Sequence, residues 1–397
     1  MKLLATGDLQ IGNGLSLTDD RLADQERMWA WVVQEARRLE VDALLVPGDI
    51  WHRYPPTPAE LLAFWKPLRN VEWFDQEELT HRRVKVIAIP GNHDSGGADR
   101  PTGLDVLAGP GLEVMGRPGW RKVGDGSVVA LPWTPISRLV AAANGGSRDE
   151  LYHEASLLLV DAARELRKDI DAAGVIGPSV LMAHWSVEGA VFADGRGIEE
   201  FMREPMLPLG ELEDLGFDAV VLGHIHRSQM LSEKLPIFYT GTPWVGDWSE
   251  ADSEHVVWLL ELDGTQWATH EIPVPDRKFV TLEATPVDEG AWGLELPPIV
   301  PGELEGAVVR VRYSATAEQA RRADDGALAR DLAKTGAHHV IVKPQIEREE
   351  RARVEALDED LGPLEMLERW IESQEIEPEA AEELRRLTAT YLEGELA

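Results

Sequence analysis

The chain has 397 residues, of which 44% are hydrophobic, so it is long enough to bury the cores of two or three domains. Its formal net charge of -32 argues against a surface built for nonspecific nucleic-acid binding, although it does not exclude a nuclease. The absence of cysteine excludes disulfides, thiolate metal ligands and a cysteine nucleophile. Any metal must therefore be held by oxygen and imidazole nitrogen, a ligand set that suits manganese, magnesium, iron and zinc.

The N-terminal residues reach the first motif within a few positions, which leaves no room for a signal peptide. No run of about 18 apolar residues occurs, so the sequence predicts no membrane span and no membrane partner. We therefore expect a soluble cytoplasmic protein.

The first two-thirds of the chain alternate short apolar runs with stretches of helical periodicity, a pattern typical of a layered α/β fold. Between Arg21 and Glu40, for example, apolar residues recur every three or four positions, which predicts an amphipathic helix. The predicted strands span 2–6, 43–46, 84–89, 180–183, 219–222, 237–239 and 256–262, and the predicted helices span 21–40, 58–68 and 149–170.

The pattern changes after Pro273-Val274-Pro275, so we expect residues 1–275 to form the first domain. Residues 276–345 follow the order strand, strand, helix, strand and predict a small α/β capping domain. Its predicted helix covers 317–332 and starts with a capping-box sequence. Residues 346–397 predict a tail of two amphipathic helices.

Five short motifs each follow a predicted strand, at the sheet edge where open α/β folds gather their ligand sites. They contain five of the chain's 11 histidines. Hydrolysis of a phosphodiester needs a deprotonated water and positive charge near the phosphoryl oxygens, and two metals about 3.5–4 Å apart supply both. The motifs are Gly7-Asp8-Leu9-Gln10, Gly48-Asp49-Ile50-Trp51-His52, Gly91-Asn92-His93-Asp94, His184, and Gly223-His224-Ile225-His226.

In this order the motifs resemble the calcineurin-like metallophosphoesterase superfamily, whose pattern is D-x-H, G-D-x-x-[HD], G-N-H-[DE], a lone H and G-H-x-H. The resemblance covers roughly residues 1–250, with the motifs in the family's order. It implies a layered α/β sandwich of two central sheets flanked by helices. It also implies two divalent metal ions, with Mn²⁺ as the first expectation and Mg²⁺ as the second.

The resemblance assigns a role to each motif residue. Asp49 would bridge both metals, and His93 resembles a non-ligating histidine that protonates the leaving group, with Asp94 orienting its ring. Gln10 stands where the family usually has histidine, and a neutral amide oxygen is a harder ligand, so we expect a weaker first site or a single metal. The other ligands would be Asp8, Gln10 and His226 for the first metal, and Asn92, His184 and His224 for the second.

The second motif resembles the G-D-[LV]-F-[HD] element of SbcD-type nuclease subunits, which belong to the SbcC–SbcD double-strand-break processing complex. Within it, His52 matches a position associated with exonucleolytic cutting, and we assign it a role at the substrate phosphate. The resemblance implies an exonuclease and endonuclease acting on DNA in repair or recombination. It further implies that the C-terminal helices bind an SbcC-like SMC-type ATPase, and a homodimer is also compatible with it.

Each motif residue also has an ordinary structural interpretation, since Asp8 after glycine can cap a turn and His184 can be a hydrogen-bonded core histidine. Two other functions stay open. A phosphodiesterase for a small nucleotide fits the acidic balance, although such a substrate requires neither cap nor tail. A partner-binding scaffold with a metal site weakened by Gln10 is the other alternative.

Overall fold

The computed structural model describes the chain except for residues 15–19, 70–83, 97–101, 110, 265, 289–291, 348–362, 374–377 and 395–397. The strands are β1 (Lys2–Ala5), β2 (Ala43–Pro47), β3 (Val86–Ile89), β4 (Leu112–Val114), β5 (Gly119–Val123), β6 (Gly126–Leu131), β7 (Ser179–His184), β8 (Ser186–Val187), β9 (Met206–Leu207), β10 (Ala219–Gly223), β11 (Gln229–Met230), β12 (Ile237–Tyr239), β13 (Val256–Asp263), β14 (Gln266–Pro273), β15 (Phe279–Glu283), β16 (Thr285–Asp288), β17 (Trp292–Glu295), β18 (Val308–Ala315) and β19 (His339–Ile346). The helices are α1 (Asp20–Arg38), α2 (Pro58–Arg69), α3 (Gly103–Leu107), α4 (Ile136–Ala142), α5 (Arg148–Ala172), α6 (Leu209–Asp214), α7 (Ala317–Arg322), α8 (Asp325–Ala333), α9 (Pro363–Ser373) and α10 (Pro378–Gly394).

Two six-stranded sheets form the centre of the fold. One has the strand order β14-β13-β1-β2-β3-β4 and the other β11-β12-β10-β7-β6-β5. In each sheet four consecutive strands run parallel. Antiparallel β13 and β14 extend one side of the first sheet, and antiparallel β5 and β11 flank the second. This is the predicted mixed α/β sandwich with two sheets.

Strand residues alternate between two cores, because successive side chains of a strand point to opposite faces. In β1, Leu3 and Ala5 enter a core between the sheets that also contains Val180 and Val221. Leu4 enters a second core on the helix-covered face. Both faces of the strand are therefore buried, which explains why its sequence is continuously apolar rather than alternating.

Helices cover the outer face of each sheet. On the first sheet, Trp29 of α1 stacks on Phe64 of α2 with ring centroids 5.1 Å apart, and its indole N–H donates to the Phe64 carbonyl at 2.9 Å. On the second sheet, Leu159 and Ala163 of α5 and Leu212 of α6 pack into a third core. The outer helices thus bury the faces that the two sheets do not bury against each other.

The chain divides into two compact units, one of residues 1–280 with 306–308 and one of 281–305 with 309–397. Just past the predicted boundary, Asp276 still belongs to the first unit, where it forms a buried ion pair with Arg21 of α1 at 3.0 Å. The roles predicted for residues 276–345 as a cap and 346–397 as a tail stay predictions.

A three-stranded sheet of order β15-β18-β19 carries the predicted strand–helix–strand pattern. The capping box that begins α7 is confirmed, with Thr316 and Gln319 each bonding the other's backbone N–H. The single helix predicted over 317–332 is wrong. Ala323 is extended, and the Asp324 side chain accepts the Ala327 N–H to start α8. Aspartate is a strong helix-capping residue, and here it restarts the helix instead of continuing it.

In the described part of the chain, no helix is both long enough and apolar enough to cross a membrane.

Candidate metal centre

The five motifs begin where β1, β2, β3, β7 and β10 end, so the folded sheets bring them to one region. The turns that carry them are sharply bent. Asp8, Gln10, Asp49 and His224 all have positive φ, at 50°, 45°, 51° and 98°. Side chains rarely adopt this conformation, and such residues concentrate at functional sites.

Glycines allow the motif backbones to approach one another closely. A Cβ at Gly91 would lie 2.1 Å from the Asp49 Oδ1 atom. A Cβ at Gly48 would lie 2.3 Å from the His184 Nδ1 atom. Real Cβ atoms do not tolerate such distances, so Gly48 and Gly91 are each required by the close approach of a side chain from another motif.

Asp49, His184 and His224 form one tight cluster, with a ligand atom of each lying within 4.8 Å of the others. Asp49 and His184 are buried, and His224 is partly buried. The His184 Nδ1–H donates to the Pro47 carbonyl at 2.6 Å. Its Nε2 atom then faces Asn92 Oδ1 at 3.1 Å and Asp49 Oδ1 at 3.4 Å.

The second imidazole reaches the same amide oxygen. His224 Nδ1 lies 3.0 Å from Asn92 Oδ1, while its Nε2–H donates to Glu204 at 2.7 Å. In this amide orientation, two ring nitrogens face an oxygen that only accepts, and a carboxylate oxygen lies beside one of these nitrogens. The proton of each ring lies on its other nitrogen, where His184 donates to the Pro47 carbonyl and His224 donates to Glu204. The cluster therefore needs positive charge at its centre, and a divalent cation fits that requirement and this donor set.

The electrostatics agree with this requirement. Burial disfavours an imidazolium, but the Asp49 carboxylate raises the pKa of His184 to about 9. Burial alone would raise the pKa of Asp49, yet the neighbouring His184 holds it well below its usual range. In the metal-free protein a proton on His184 thus supplies charge that a bound cation would supply in its place.

Asp8 and His226, the predicted ligands of a first metal, lie outside the tight cluster. The fully buried Asp8 carboxylate accepts the His224 backbone N–H at 3.0 Å, and burial raises its pKa. His226 is one-third exposed, and its Nδ1–H donates to Glu250 at 2.7 Å. Burial lowers the His226 pKa, but the bond to Glu250 outweighs it and raises the value to about 9.

Gln10 lies between the shared carboxylate and a histidine. Its amide Nε2–H donates to Asp49 Oδ2 at 3.2 Å, and its oxygen accepts the His52 Nδ1–H at 2.9 Å. The oxygen that was predicted to bind a metal is therefore turned toward His52. Its role as a ligand stays a prediction.

Asp94 does not orient the ring of His93, and this prediction is corrected by the structure. The buried Asp94 carboxylate accepts backbone N–H groups from Ile50, Trp51 and Gly91 at 3.0, 3.0 and 2.9 Å. The His93 Nδ1–H donates instead to the His52 carbonyl at 2.7 Å. Asp94 thus fixes the second motif against the third, and burial together with Asp49 raises its pKa to about 6.

His52 and His93 lie side by side next to the cluster. Their rings stack with centroids 5.9 Å apart, and both residues are partly exposed. The His93 backbone N–H donates to Asp49 Oδ1 at 2.9 Å, so this histidine is anchored to the shared carboxylate. Since both Nδ1 atoms bond within the protein, both Nε2 atoms remain as the reactive nitrogens.

Sequence reasoning missed Glu204 and Glu250, the carboxylates that bond His224 and His226. Glu250 closes a capping box with Asp247, a pattern that the sequence displays. Nothing in the sequence links either glutamate to a histidine, because both contacts depend on loop geometry.

Oxygen and imidazole ligands at strand ends, flanked by histidines with an available nitrogen, are what metal-assisted hydrolysis of a phosphoester requires. The sequence profile described as "Calcineurin-like phosphoesterase" matches residues 1–228, which is more than half of the chain. The protein therefore belongs to this family of hydrolases that act on phosphoester bonds. The family implies divalent metal ions.

Two curated proteins are similar over much of the chain. The DNA double-strand break repair protein Mre11 of Methanosarcina acetivorans is 23% identical over 288 residues, covering 71% of this chain and 40% of its own length. The D subunit of the nuclease SbcCD of Escherichia coli K12 is 23% identical over 285 residues, covering 66% of this chain and 64% of its own. The chain thus spans less than two-thirds of either relative.

Among solved structures, a dimetal phosphatase from Danio rerio aligns with a TM-score of 0.37 and 11% identity, covering 70% of this chain and 97% of that one.

Proposed function

We propose that this protein is a DNA exonuclease and endonuclease subunit that hydrolyses phosphodiester bonds at DNA ends. In this proposal it uses two divalent ions, preferably Mn²⁺, and acts with an SbcC-like ATPase in DNA repair or recombination. The observation that carries the proposal is the stacked pair of His52 and His93 beside the Asp49 cluster. The similarity to a DNA double-strand break repair protein and to a subunit of the nuclease SbcCD supports the choice of DNA as substrate.

The proposed metal ligands are the seven side chains identified from the motifs. Asn92, His184 and His224 would hold one ion, Asp8, His226 and Gln10 the other, and Asp49 would be shared. When bound, the ions would lower the pKa of a water molecule and neutralise charge on the phosphoryl oxygens.

The remaining chemistry belongs to the two stacked histidines. The carbonyl of His52 fixes the His93 ring through Nδ1–H, so its Nε2 is placed to carry a proton to the departing alkoxide. Gln10 fixes the His52 ring in the same way, and a second ring proton on the His52 Nε2 would let this nitrogen donate to a phosphate oxygen. Each ring is held by one hydrogen bond and acts through the opposite nitrogen.

The test uses the purified full chain with Mn²⁺, a labelled linear duplex and bis-p-nitrophenyl phosphate. Cleavage of the duplex, lost on addition of a chelator, supports the proposal. Turnover of the small diester alone would replace it with a phosphodiesterase for a small nucleotide. Absence of both activities, even with an SbcC-like partner present, would favour the scaffold.

For the partner, we propose that the tail helices dock on the ATPase. Leu364 of α9 and Leu387 of α10 are about half exposed, and an apolar helix face of this kind suits a groove on another protein. Truncation after Gly362 should abolish co-purification with an SbcC-like ATPase and spare basal hydrolysis with Mn²⁺. Unchanged co-purification would contradict the proposed docking of the tail helices on the ATPase. It would not contradict the nuclease assignment.

A further inference from the structure

We propose that Glu250 and Glu204 are positioning residues that determine which ring nitrogen His226 and His224 present to the metals. The inference rests on the metal binding of the proposed function. It concerns two carboxylates that lie outside all five motifs.

Backbone hydrogen bonds to one oxygen of Glu250 fix the carboxylate so that its other oxygen faces His226. Its Oε2 atom accepts the backbone N–H groups of Gly246 and Asp247 at 2.9 and 3.0 Å. Its Oε1 atom lies 2.7 Å from the His226 Nδ1. A carboxylate only accepts hydrogen bonds, so the Nδ1 atom must carry a proton. In the neutral ring that binds a metal, the lone pair of His226 is therefore on Nε2, and Nε2 is the atom offered to the metal.

Glu204 imposes the opposite choice on His224. Its Oε1 atom accepts the Ser186 hydroxyl at 2.5 Å and lies 2.7 Å from the His224 Nε2. Both side chains of this pair are about nine-tenths buried. The ring proton is thus on Nε2, and the lone pair is on Nδ1, which faces Asn92 at 3.0 Å.

Two histidines that are separated by one residue are thereby fixed as opposite tautomers. The G-H-x-H motif itself does not specify which nitrogen each ring uses. A partner on the far nitrogen commonly fixes the orientation of a metal-binding imidazole, and its loss costs roughly tenfold to a hundredfold in metal affinity. The two glutamates supply that partner here.

The decisive variant is Glu250→Gln. The two backbone N–H groups still require an oxygen, so the amide nitrogen of glutamine must face His226 and donate to Nδ1. The ring proton then moves to Nε2, where it blocks the metal. We expect Mn²⁺ affinity at one of two sites, measured by calorimetry, to fall about tenfold or more.

Glu250→Ala distinguishes a role in fixing the His226 tautomer from a role in stabilising the loop. Alanine loses the bonds to the loop, so the melting temperature should fall further than for Glu250→Gln. It leaves His226 free to choose its tautomer, so Mn²⁺ affinity should fall less. A purely structural role predicts the reverse order for affinity, and that result would overturn the inference.

Glu204→Gln and Glu199→Gln are the matched controls. The glutamine oxygen at position 204 can still accept from both Ser186 and His224, so Mn²⁺ affinity should change little, whereas Glu204→Ala should lower it. Among the residues that the structure describes, Glu199 bonds the Gly189 N–H and no histidine, so its variant should bind Mn²⁺ normally. Normal Mn²⁺ binding by both Glu250→Gln and Glu204→Ala would overturn the inference. A wild-type chain that takes up no Mn²⁺ would overturn the metal-dependent function and, with it, this inference.

Discussion

Around Asn92, both imidazoles have one nitrogen bonded to the protein and the other directed at the same amide oxygen, within a cluster that is largely buried. Around Gln10, the amide oxygen is turned toward His52, and His226 is one-third exposed. The side chains around Asn92 are thus arranged for a cation, whereas the Gln10 oxygen is engaged by His52. We therefore expect the two proposed sites, which would share Asp49, to differ in metal affinity.

Replacement of Asp49 should abolish metal binding at both proposed sites and so remove the difference in affinity between them. In Asp49→Asn the central charge of the cluster is lost, and one oxygen remains where two accepted the His93 backbone N–H and the Gln10 amide. We expect no Mn²⁺ binding at micromolar concentrations and no measurable hydrolysis. Calorimetry and phosphodiesterase assays check this. Retention of one tight ion would show that the two proposed sites do not share Asp49.

Replacement of His93 should leave both proposed metal sites intact and remove only the residue that protonates the leaving group. We expect His93→Ala to bind Mn²⁺ like the wild type and to hydrolyse the diester about 10²- to 10⁴-fold more slowly, the usual contribution of general acid catalysis. Metal titration and single-turnover rates on the same preparation test both parts. Normal cleavage by this variant would remove His93 from the mechanism.

Metal affinity should depend on pH, because His184 has its pKa raised from 6.5 to about 9. The proton on His184 stabilises the metal-free fold fully below pH about 6.5, and this stability is lost as the pH rises through about 9. A metal must displace the proton. Mn²⁺ affinity should therefore rise with pH across this window, by up to about tenfold per unit for each proton released. Calorimetry in buffers of different ionisation enthalpy counts the protons, and a pH-independent affinity would contradict the assignment.

Gln10→His should reduce the difference in Mn²⁺ affinity between the two proposed sites. An imidazole at this position restores the ligand type usual in the family, so the weaker Mn²⁺ site should tighten by about tenfold while the other stays unchanged. Metal content after dialysis measures the effect. Two equally tight ions in the parent protein would show that Gln10 does not weaken the first site.

The sequence predicted the positions of the ligand-bearing strands well, because each is a buried apolar run that ends in a motif. It did not predict the β5–β6 hairpin, although the two turn residues, Gly124 and Asp125, are a typical hairpin pair. That hairpin starts in a strand with exposed Arg121 and Lys122, so it lacks a continuous apolar run. Strands on the periphery of a sheet therefore have a weaker hydrophobic sequence pattern than central strands and are harder to predict.

Within the site, the sequence predicted that Asp49, His184 and His224 come together, but it did not predict how the surrounding side chains are oriented. His184 and His224 meet Asp49 as expected. Asp94 was assigned to His93, whereas its two oxygens are occupied by backbone N–H groups. Hydrogen bonds to carbonyls and to loop carboxylates such as Glu250 depend on three-dimensional placement, and a linear motif does not record it.

Anomalous scattering from a manganese-soaked crystal tests the central claim most directly. We predict a strong peak among Asp49, Asn92, His184 and His224, and a weaker peak beside Asp8 and His226. The absence of any peak within ligand distance of Asp49 and His184 would contradict the account.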